Sequence, residues 1–459
     1  MQIFSNKPFY LLIISHKQLT TGFTFYVNID IIVLVSLTVS IINIRGGRKM
    51  KKLSRFFLVC FIVILTTVAF SKAIEITFWT LFSGGEGYIM TELVNQFNKE
   101  QNQIFVNQQP LDWGQYYNKL LASMVGGNPP DLAIIHRSSL VDYVERGTLL
   151  PIDKYVSNSL KVDYFDNILQ AATFNSQLYA LPLDTHPLVL YYNKSVLREA
   201  GLVDSNGQIL LPKTFEEFYN FCKQIKQNTG KYGMAIEDLN CLGERLWLTL
   251  YRNFGGKLED EKGNFMFDKD IAEKTYEEIL KFYKEDLTTY VDYETARALF
   301  ISGQAGFTFD GVWSMASYEE MGVLEEIGVM PVPPFSFTKE PYVWGDSHTL
   351  VLPKAPKINE ERVKAAVTFA EWLVNHSYEW AKAGHLPVVK SVAESTEFLS
   401  LPLRENFIVS AERAFVPEVR GWKEIQDKLL ELCQGVVLGK ITPKNAADDL
   451  VNTVKQVVK

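Results

Sequence analysis

Cysteine is scarce in this chain, which has four cysteines in 459 residues. Cys60 lies in a segment that we expect to be removed, so Cys222, Cys241 and Cys433 remain. An odd number allows at most one internal disulfide, for which Cys222 and Cys241 are the only plausible pair. Buried free thiols are an equally good interpretation. The sequence therefore excludes the disulfide framework that is typical of small secreted domains.

Motifs for phosphate binding and covalent catalysis are also missing. The glycine cluster at 83–87 lacks the lysine and the spacing of a P-loop, and Glu86 within it has the wrong charge for phosphate. The sequence contains no nucleophile elbow and no metalloprotease helix motif. No internal repeat or low-complexity tract is visible either.

Acidic residues are nearly absent from the first 72 positions, which hold nine of the 46 Lys and Arg but only one of the 53 Asp and Glu, Asp30. The remainder, from Ala73 onwards, therefore carries a formal net charge of −15. A body of this charge repels phosphate backbones. We expect no nucleic-acid partner.

The segment 50–73 has the order of a secretory signal peptide. Met50 opens a short basic region, an apolar run extends from Phe56 to Phe70, and small residues follow. We predict cleavage between Lys72 and Ile74 and a periplasmic or extracellular location, without a lipid anchor. A single membrane-spanning helix is the alternative, although the apolar run is short for a bilayer.

Residues 1–49 contain a second apolar run, Ile29 to Ile44, and no pattern of a folded domain. A translated purine-rich ribosome-binding site would give the sequence from Arg45 to Met50. We therefore interpret 1–49 as an extension upstream of a true start at Met50. A two-segment leader is the alternative.

Strands and helices alternate from Ile74. The pattern predicts strands at 74–80, 103–110 and 131–135 and helices at 88–100 and 115–125. This order is typical of right-handed crossovers on a parallel sheet. Ligands bind such sheets beyond the carboxyl ends of the strands, which here carry Trp79, the turn at 83–85, and His136 with Arg137.

A hinge is predicted in the stretch Leu181 to Lys194. A chain of 459 residues is too long for one ordinary core, so two lobes are expected. Pro182 and Pro187 keep the stretch extended, at the edge of a domain and not in a central strand. Asp184, Thr185 and His186 then lie at the junction, where small-molecule clefts are favoured.

Six segments, taken in order, carry a resemblance to a known family: ITFWT, NPPDLAII, LPLDTHPLVLYYNKSVLREAGL, PKTFEEF, GQAGFTFDGVW and WGDSHTLVLPKA. From about Ile74 the chain resembles the extracellular solute-binding proteins of ABC importers, in particular the sugar-binding class with maltodextrin-binding members. The resemblance implies a two-lobe α/β fold, the type II periplasmic-binding-protein fold, in which each lobe is a mainly parallel sheet flanked by helices and joined by hinge strands. The first lobe would take 74–184 and 342–392, and the second 185–341 and 393–459.

The resemblance also implies a carbohydrate ligand between the lobes, ABC permease subunits as partners, and a monomer. The ligand-binding positions that it implies are Trp79, Ser83, Gly84, Gly85, His136, Arg137, Asp184, Thr185, His186, Trp313, Trp344, Gly345 and Asp346. Aromatic rings suit the apolar faces of a pyranose, and planar polar groups suit its hydroxyl rim.

Three of the histidines, His136, His186 and His348, map near this cleft and could together hold zinc. They are far apart in sequence, and no His-x-His or Cys-x-x-Cys pair supports a metal site. The sequence therefore predicts no metal and no cofactor.

A secreted glycoside-processing enzyme is the main alternative function, beside a binding protein for another solute. An enzyme of this kind needs two carboxylates across one cleft. Only Asp184, Asp346 and Glu86 are candidates, and none stands in a catalytic motif. We therefore predict a binding protein and not an enzyme.

Overall fold

The computed structural model describes residues 73–332 and 341–458. The segment 1–49 and the predicted signal peptide, apart from Ala73, lie outside the described residues. Strands β1 to β13 are Ile74–Thr80, Ile104–Pro110, Leu132–His136, Thr173–Phe174, Gln177–Leu178, Ala180–Pro182, His186–Asn193, Tyr232–Ala235, Ala305–Gly311, Ile327–Met330, Val343–Asp346, His348–Val351 and Ala414–Phe415.

Some of the helices begin at a residue whose side chain caps them. Thr214 accepts a hydrogen bond from the backbone of Glu217, and Asn193 caps the helix that follows the hinge strand. Helices α1 to α18 are Gly84–Glu100, Trp113–Val125, Arg137–Glu145, Asn158–Asp163, Asp166–Ala171, Lys194–Glu199, Phe215–Thr229, Leu242–Asn253, Lys269–Lys284, Tyr293–Ile301, Met315–Glu320, Glu360–Asn375, Ser377–Ala381, Lys390–Ala393, Thr396–Leu399, Arg404–Glu412, Trp422–Val437 and Pro443–Val457.

The first sheet has the strand order β2-β1-β3-β12-β6. Strand β1 pairs in parallel with β2 and β3, as the alternating pattern predicts, while β12 runs antiparallel between β3 and β6. The expected mainly parallel sheets are therefore mixed. Strand β12 returns directly from the other lobe without a crossover helix, so it can join the sheet only in the opposite direction.

The second sheet has the order β13-β11-β7-β9-β8, and β10 also pairs with β7. Strand β7 is therefore central, and the prediction that the hinge stretch avoids a central strand was wrong. Pairing with β9 begins at Leu188, so Pro187 lies beyond the end of that ladder, while on the other side of β7 it is the register partner of Gly345 in β11.

Two large apolar cores follow the two sheets. The first core contains residues between Ile76 and Leu183 and again between Leu350 and Val392, and the second contains residues between Leu188 and Trp344 and again from Val416. The chain crosses between the sheets at 183–185 and at 346–348. The expected boundary at Tyr342 was too early, because β11 still pairs in the second sheet.

Cys222, Cys241 and Cys433 are free thiols, so the Cys222–Cys241 pairing is not formed. Burial raises the pKa of all three thiols. Among residues 73–332 and 341–458, no helix is both long enough and apolar enough to span a bilayer.

Candidate functional site

A cleft runs between the two lobes, beside the hinge crossings. It contains one cavity of about 460 Å³ and a second of about 240 Å³. The two cavities share the lining residues Trp113, His136, Asn240, Cys241 and Arg245. Because the two cavities share these residues, they form one continuous cleft. The shared residues come from both lobes, so both lobes line it.

Aromatic rings from both lobes face this cleft. Trp313 lines the smaller cavity and Trp344 the larger one, with their ring centroids 6.3 Å apart at right angles. The Trp313 Nε1–H donates to the Tyr293 hydroxyl over 3.2 Å, which fixes the ring. Trp113, at the mouth, keeps 36% of its surface exposed.

Two arginines complete the polar lining of the smaller cavity. The guanidinium carbon of Arg245 lies 3.9 Å from the ring centroid of Trp344 and 5.4 Å from that of Trp313. Arg297 lies beside Tyr293 on the opposite side. Within the described part of the chain, the buried Nε atoms of both arginines have no hydrogen-bond partner.

The Asp184 carboxylate lies completely buried behind the floor of the cleft. Its Oδ1 atom is 2.9 Å from His186 Nδ1 and accepts from the backbone N–H of His348 at 3.0 Å. Its Oδ2 atom is 2.8 Å from His348 Nδ1 and accepts from Trp380 Nε1–H at 2.7 Å. This one carboxylate therefore connects the first and second hinge crossings.

The charge in this cluster is concentrated on one pair. Burial acts to raise the pKa of Asp184, but His348 and His385 outweigh it and hold that pKa well below its ordinary value. Burial acts to lower the pKa of His348, but Asp184 outweighs it and raises that pKa. His186 has its pKa lowered to about 3 by burial and by the neighbouring His348. His186 is therefore neutral at pH 7.

His136 ends β3 and lines both cavities, as its position after the strand predicts. Its Nδ1 atom lies 2.5 Å from the Tyr117 hydroxyl, and burial lowers its pKa well below the ordinary value. Arg137 next to it instead forms an ion pair with Glu418. Asp346 also lines the larger cavity, while its Oδ1 accepts from the backbone N–H groups of Ser138 and Ser347.

The turn at 83–85 meets the second lobe. Ser83 and Gly84 line the smaller cavity. A Cβ atom on Gly85 would lie 2.8 Å from the Cβ of Ala316, so only glycine permits this close approach. The turn therefore serves both the cleft and the contact between lobes.

Six of the thirteen predicted positions do not line either cavity of the cleft: Trp79, Gly85, Arg137, Asp184, Thr185 and Gly345. Trp79 lines a separate cavity of about 320 Å³ together with Asp131 and Arg362. Thr185 pairs with Leu386 through two backbone hydrogen bonds. Gly345 lies against Pro187, where an added Cβ would lie 3.0 Å from the Pro187 Cα.

Several cleft residues were missed by the sequence argument. They are Trp113, Tyr117, Arg245, Tyr293, Arg297 and His385. The first five lie on helices, where each fits an ordinary amphipathic or buried pattern. For His385, the one signal that could have drawn attention to it is that histidine is scarce. The chain contains six histidines.

A model of the bacterial extracellular solute-binding protein family matches residues 83–380, which is more than half of the chain. The chain belongs to this family. Its location outside the cytoplasm follows from that membership. The resemblance inferred from the six sequence segments is thereby confirmed.

Relatives and solved structures agree with this assignment. A maltotriose-binding protein of Pyrococcus abyssi is 25% identical over 65% of this chain and 63% of its own length. A galactooligosaccharide-binding protein of Bacillus subtilis is 24% identical over 90% of this chain and 98% of its own length. A maltose-bound structure of T. maritima MalE3 superposes with a TM-score of 0.74 at 20% identity, covering 84% of this chain and 100% of the other. The predicted two-lobe periplasmic-binding-protein type II fold is confirmed.

Proposed function

We propose that this protein captures a carbohydrate in the cleft between its lobes and delivers it to the membrane permease of an ABC importer. The carbohydrate class is supported by the names of two relatives, a maltotriose-binding and a galactooligosaccharide-binding protein. The proposal rests chiefly on the combination of aromatic rings and unpartnered buried polar atoms in one cleft.

The unpartnered atoms suit a ring of hydroxyl groups. In the described part of the chain, His186 Nε2, Glu244 Oε2, Arg245 Nε and Trp344 Nε1 are buried without a hydrogen-bond partner, and all four residues line the cleft. Buried polar groups are nearly always paired, so a set of unpaired ones in one cleft is suited to a ligand that brings several hydrogen-bonding groups. Each hydroxyl left unpaired costs about 1 to 3 kcal/mol, which provides discrimination between sugar epimers.

The hinge favours a clamp that closes on the ligand. Trp313 belongs to the second lobe, while the 83–85 turn and His136 belong to the first. A sugar can contact both sides only when the lobes approach each other, so it stabilises the closed form by its extra contacts. Small-angle scattering tests this point, because saturation with the cognate sugar should reduce the radius of gyration.

The export signal at 50–73, cleaved between Lys72 and Ile74, belongs to the same proposal. Amino-terminal sequencing of the native protein checks it. Residues upstream of Met50 in the mature protein would contradict both the cleavage site and the start at Met50.

Thermal unfolding against a panel of mono- and oligosaccharides identifies the ligand. At about 100 times its dissociation constant, a cognate sugar stabilises the folded protein by about 2.7 kcal/mol. We expect at least one carbohydrate to raise the melting temperature. A panel of amino acids and peptides serves as the comparison, and a shift confined to that panel would contradict the carbohydrate assignment.

We expect Trp313→Ala to weaken sugar binding by more than about tenfold, because the ring presents an apolar face to the ligand from the second lobe. Calorimetric titration with the cognate sugar measures the change. Trp79→Ala is the matched control, since Trp79 lines a different cavity and its removal should leave the affinity within about twofold. Wild-type affinity in Trp313→Ala would refute the proposed site.

We propose binding without turnover. Asp184 already accepts hydrogen bonds from His348 and Trp380, and Asp346 accepts from two backbone N–H groups. Neither carboxylate is free to transfer a proton to a glycosidic oxygen. Chromatography of a bound oligosaccharide after prolonged incubation should recover it intact, and steady release of free sugar would favour the enzyme alternative.

A further inference from the structure

The Asp184 carboxylate has more nitrogen neighbours than it has sites to accept them. Besides the two nitrogens of His348 and those of His186 and Trp380, His385 Nδ1 lies 3.2 Å from Oδ2. A carboxylate offers about four lone-pair sites. Within residues 73–332 and 341–458, His385 Nδ1 is buried and makes no hydrogen bond. His385 Nδ1 therefore faces the Asp184 carboxylate without a hydrogen bond to it.

Glu86 provides an acceptor for a proton on Nε2 of His385. The His385 Nε2 atom lies 3.2 Å from Glu86 Oε2, and a carboxylate at this position can only accept. When Nε2–H donates to Glu86 and Nδ1 gives up the proton through which His385 lowers the pKa of Asp184, the lone pair on Nδ1 faces the Asp184 oxygen. The Trp380 ring stacks on the His385 ring, with centroids 4.3 Å apart and planes 7° apart, and holds it there. A cation between the two acceptors would remove their repulsion.

We propose that Asp184, His186, His348 and His385 bind a divalent transition metal of the zinc type. One ligand atom from each lies within 4.8 Å of the others, and all four residues are buried. Three imidazole nitrogens and one carboxylate oxygen are a ligand set that zinc accepts. Bonds of about 2.0 to 2.1 Å place tetrahedral ligands roughly 3.3 Å apart. The contacts from the Asp184 oxygens to the three histidines, 2.8 to 3.2 Å, are slightly shorter than this, while the ligand atoms of the whole set lie within 4.8 Å of one another. Binding therefore requires the histidine rings to move closer together around the ion.

The surroundings of this cluster are those of an oriented metal site. Glu86 bonds the outer nitrogen of His385, and Trp380 Nε1–H and the His348 backbone N–H bond the outer sides of the Asp184 oxygens. Such partners fix the ring orientation of metal ligands. The set differs from the three histidines considered from sequence, because His136 is held by Tyr117 and its place is taken by His385.

The position of the site gives it a structural role at the hinge. Asp184 lies in the first crossing and His186 begins β7 directly after it, His348 ends the second crossing, and His385 lies in the connection that leads away from α13. His186 and His348 also line the smaller cavity, which gives an ion access to the two ligands behind them. A bound ion would tie the three segments together beneath the floor of the cleft.

Metal content of the purified, tag-free protein tests the proposal without any sugar. The protein is treated with a chelator, dialysed against ZnCl₂ and then against metal-free buffer, and analysed by plasma mass spectrometry. We expect about one zinc per chain and a higher melting temperature with ZnCl₂. His348→Gln and His385→Gln should lose the retained zinc.

Two further variants keep the test decisive if a ligand variant folds poorly. Glu86→Gln should bind zinc about 10 to 100 times more weakly, because Glu86 only orients His385. His376→Gln is the control, since its ring stacks on Trp372 and its Nδ1 atom bonds a backbone oxygen outside the cluster. No retained zinc in the wild type, or equal retention in His385→Gln and His376→Gln, would overturn the proposal. If protons shared between Asp184 and the imidazoles occupy this cluster instead of a metal ion, the wild type will retain no zinc.

Discussion

Asp184→Asn is expected to lower the free energy of unfolding by about 3 to 5 kcal/mol in metal-free buffer at pH 7. The carboxylate is fully buried, and its charge is balanced by the imidazole of His348. Asparagine keeps the size of the side chain but removes the charge, and one of its ends donates instead of accepting. The Trp380 Nε1–H or a histidine Nδ1–H would then face another donor in a fully buried site. Urea unfolding followed by tryptophan fluorescence measures the loss.

Asp166→Asn is the matched control for this loss. Asp166 is fully exposed and forms only a 3.7 Å ion pair with Lys390, so its replacement should change the unfolding free energy by less than about 0.5 kcal/mol. A loss below about 1 kcal/mol in Asp184→Asn would mean that the carboxylate does not hold the hinge crossings together.

Glu244→Gln is expected to reduce the loss of stability between pH 5 and pH 8 by about 2 to 3 kcal/mol. Burial raises the pKa of Glu244 to about 7, against the opposing effects of Arg245 and of the hydrogen bond from Gln426. Because the folded pKa is higher than the unfolded one, folding favours the protonated form. The stabilisation is complete below the unfolded pKa and is lost as the pH rises towards 7. Glutamine cannot ionise, so the variant should lack this slope.

Urea unfolding at pH 5 and pH 8, for the wild type and the variant, measures this effect. Some slope will remain, because burial also raises the pKa of Asp238 to about 7. Glu424→Gln, an exposed change on the helix that also carries Gln426, is the control and should keep the wild-type slope. Equal slopes in the wild type and Glu244→Gln would show that Glu244 is already ionised at pH 5 in the folded protein.

The sequence by itself determined the order of elements in the first lobe and the position of the hinge. Apolar residues at period two in 74–80 and at helical spacing after Gly87 can bury one face only as a strand followed by a helix. Pro182 and Pro187 lack N–H donors, and the stretch between them is extended, as local sterics require. The six segments, of which the hinge stretch is one, were also sufficient to indicate the family.

Tertiary structure alone decided which side chains meet in the cleft. Arg245 stacks on Trp344, which lies about a hundred positions further along the chain. The periodicity of apolar residues within one helix or strand cannot predict a contact between residues so far apart in sequence. Trp79, at the carboxyl end of β1, was expected in the cleft, yet it lies in another cavity. The sequence correctly predicted that Trp79 lies at the end of a strand. The side of the sheet on which its ring lies depends on the packing of neighbouring elements, which the sequence pattern does not show.

The buried cluster around Asp184 depends most strongly on tertiary structure. His186 is two residues from Asp184, whereas His348 and His385 reach it only because β12 returns between β3 and β6 and the later connection pairs with Thr185. Each histidine is unremarkable in its own segment. The pKa shifts of Asp184 and His348 and the hydrogen bonds that they share arise because the fold buries these groups together, where they can pair only with one another.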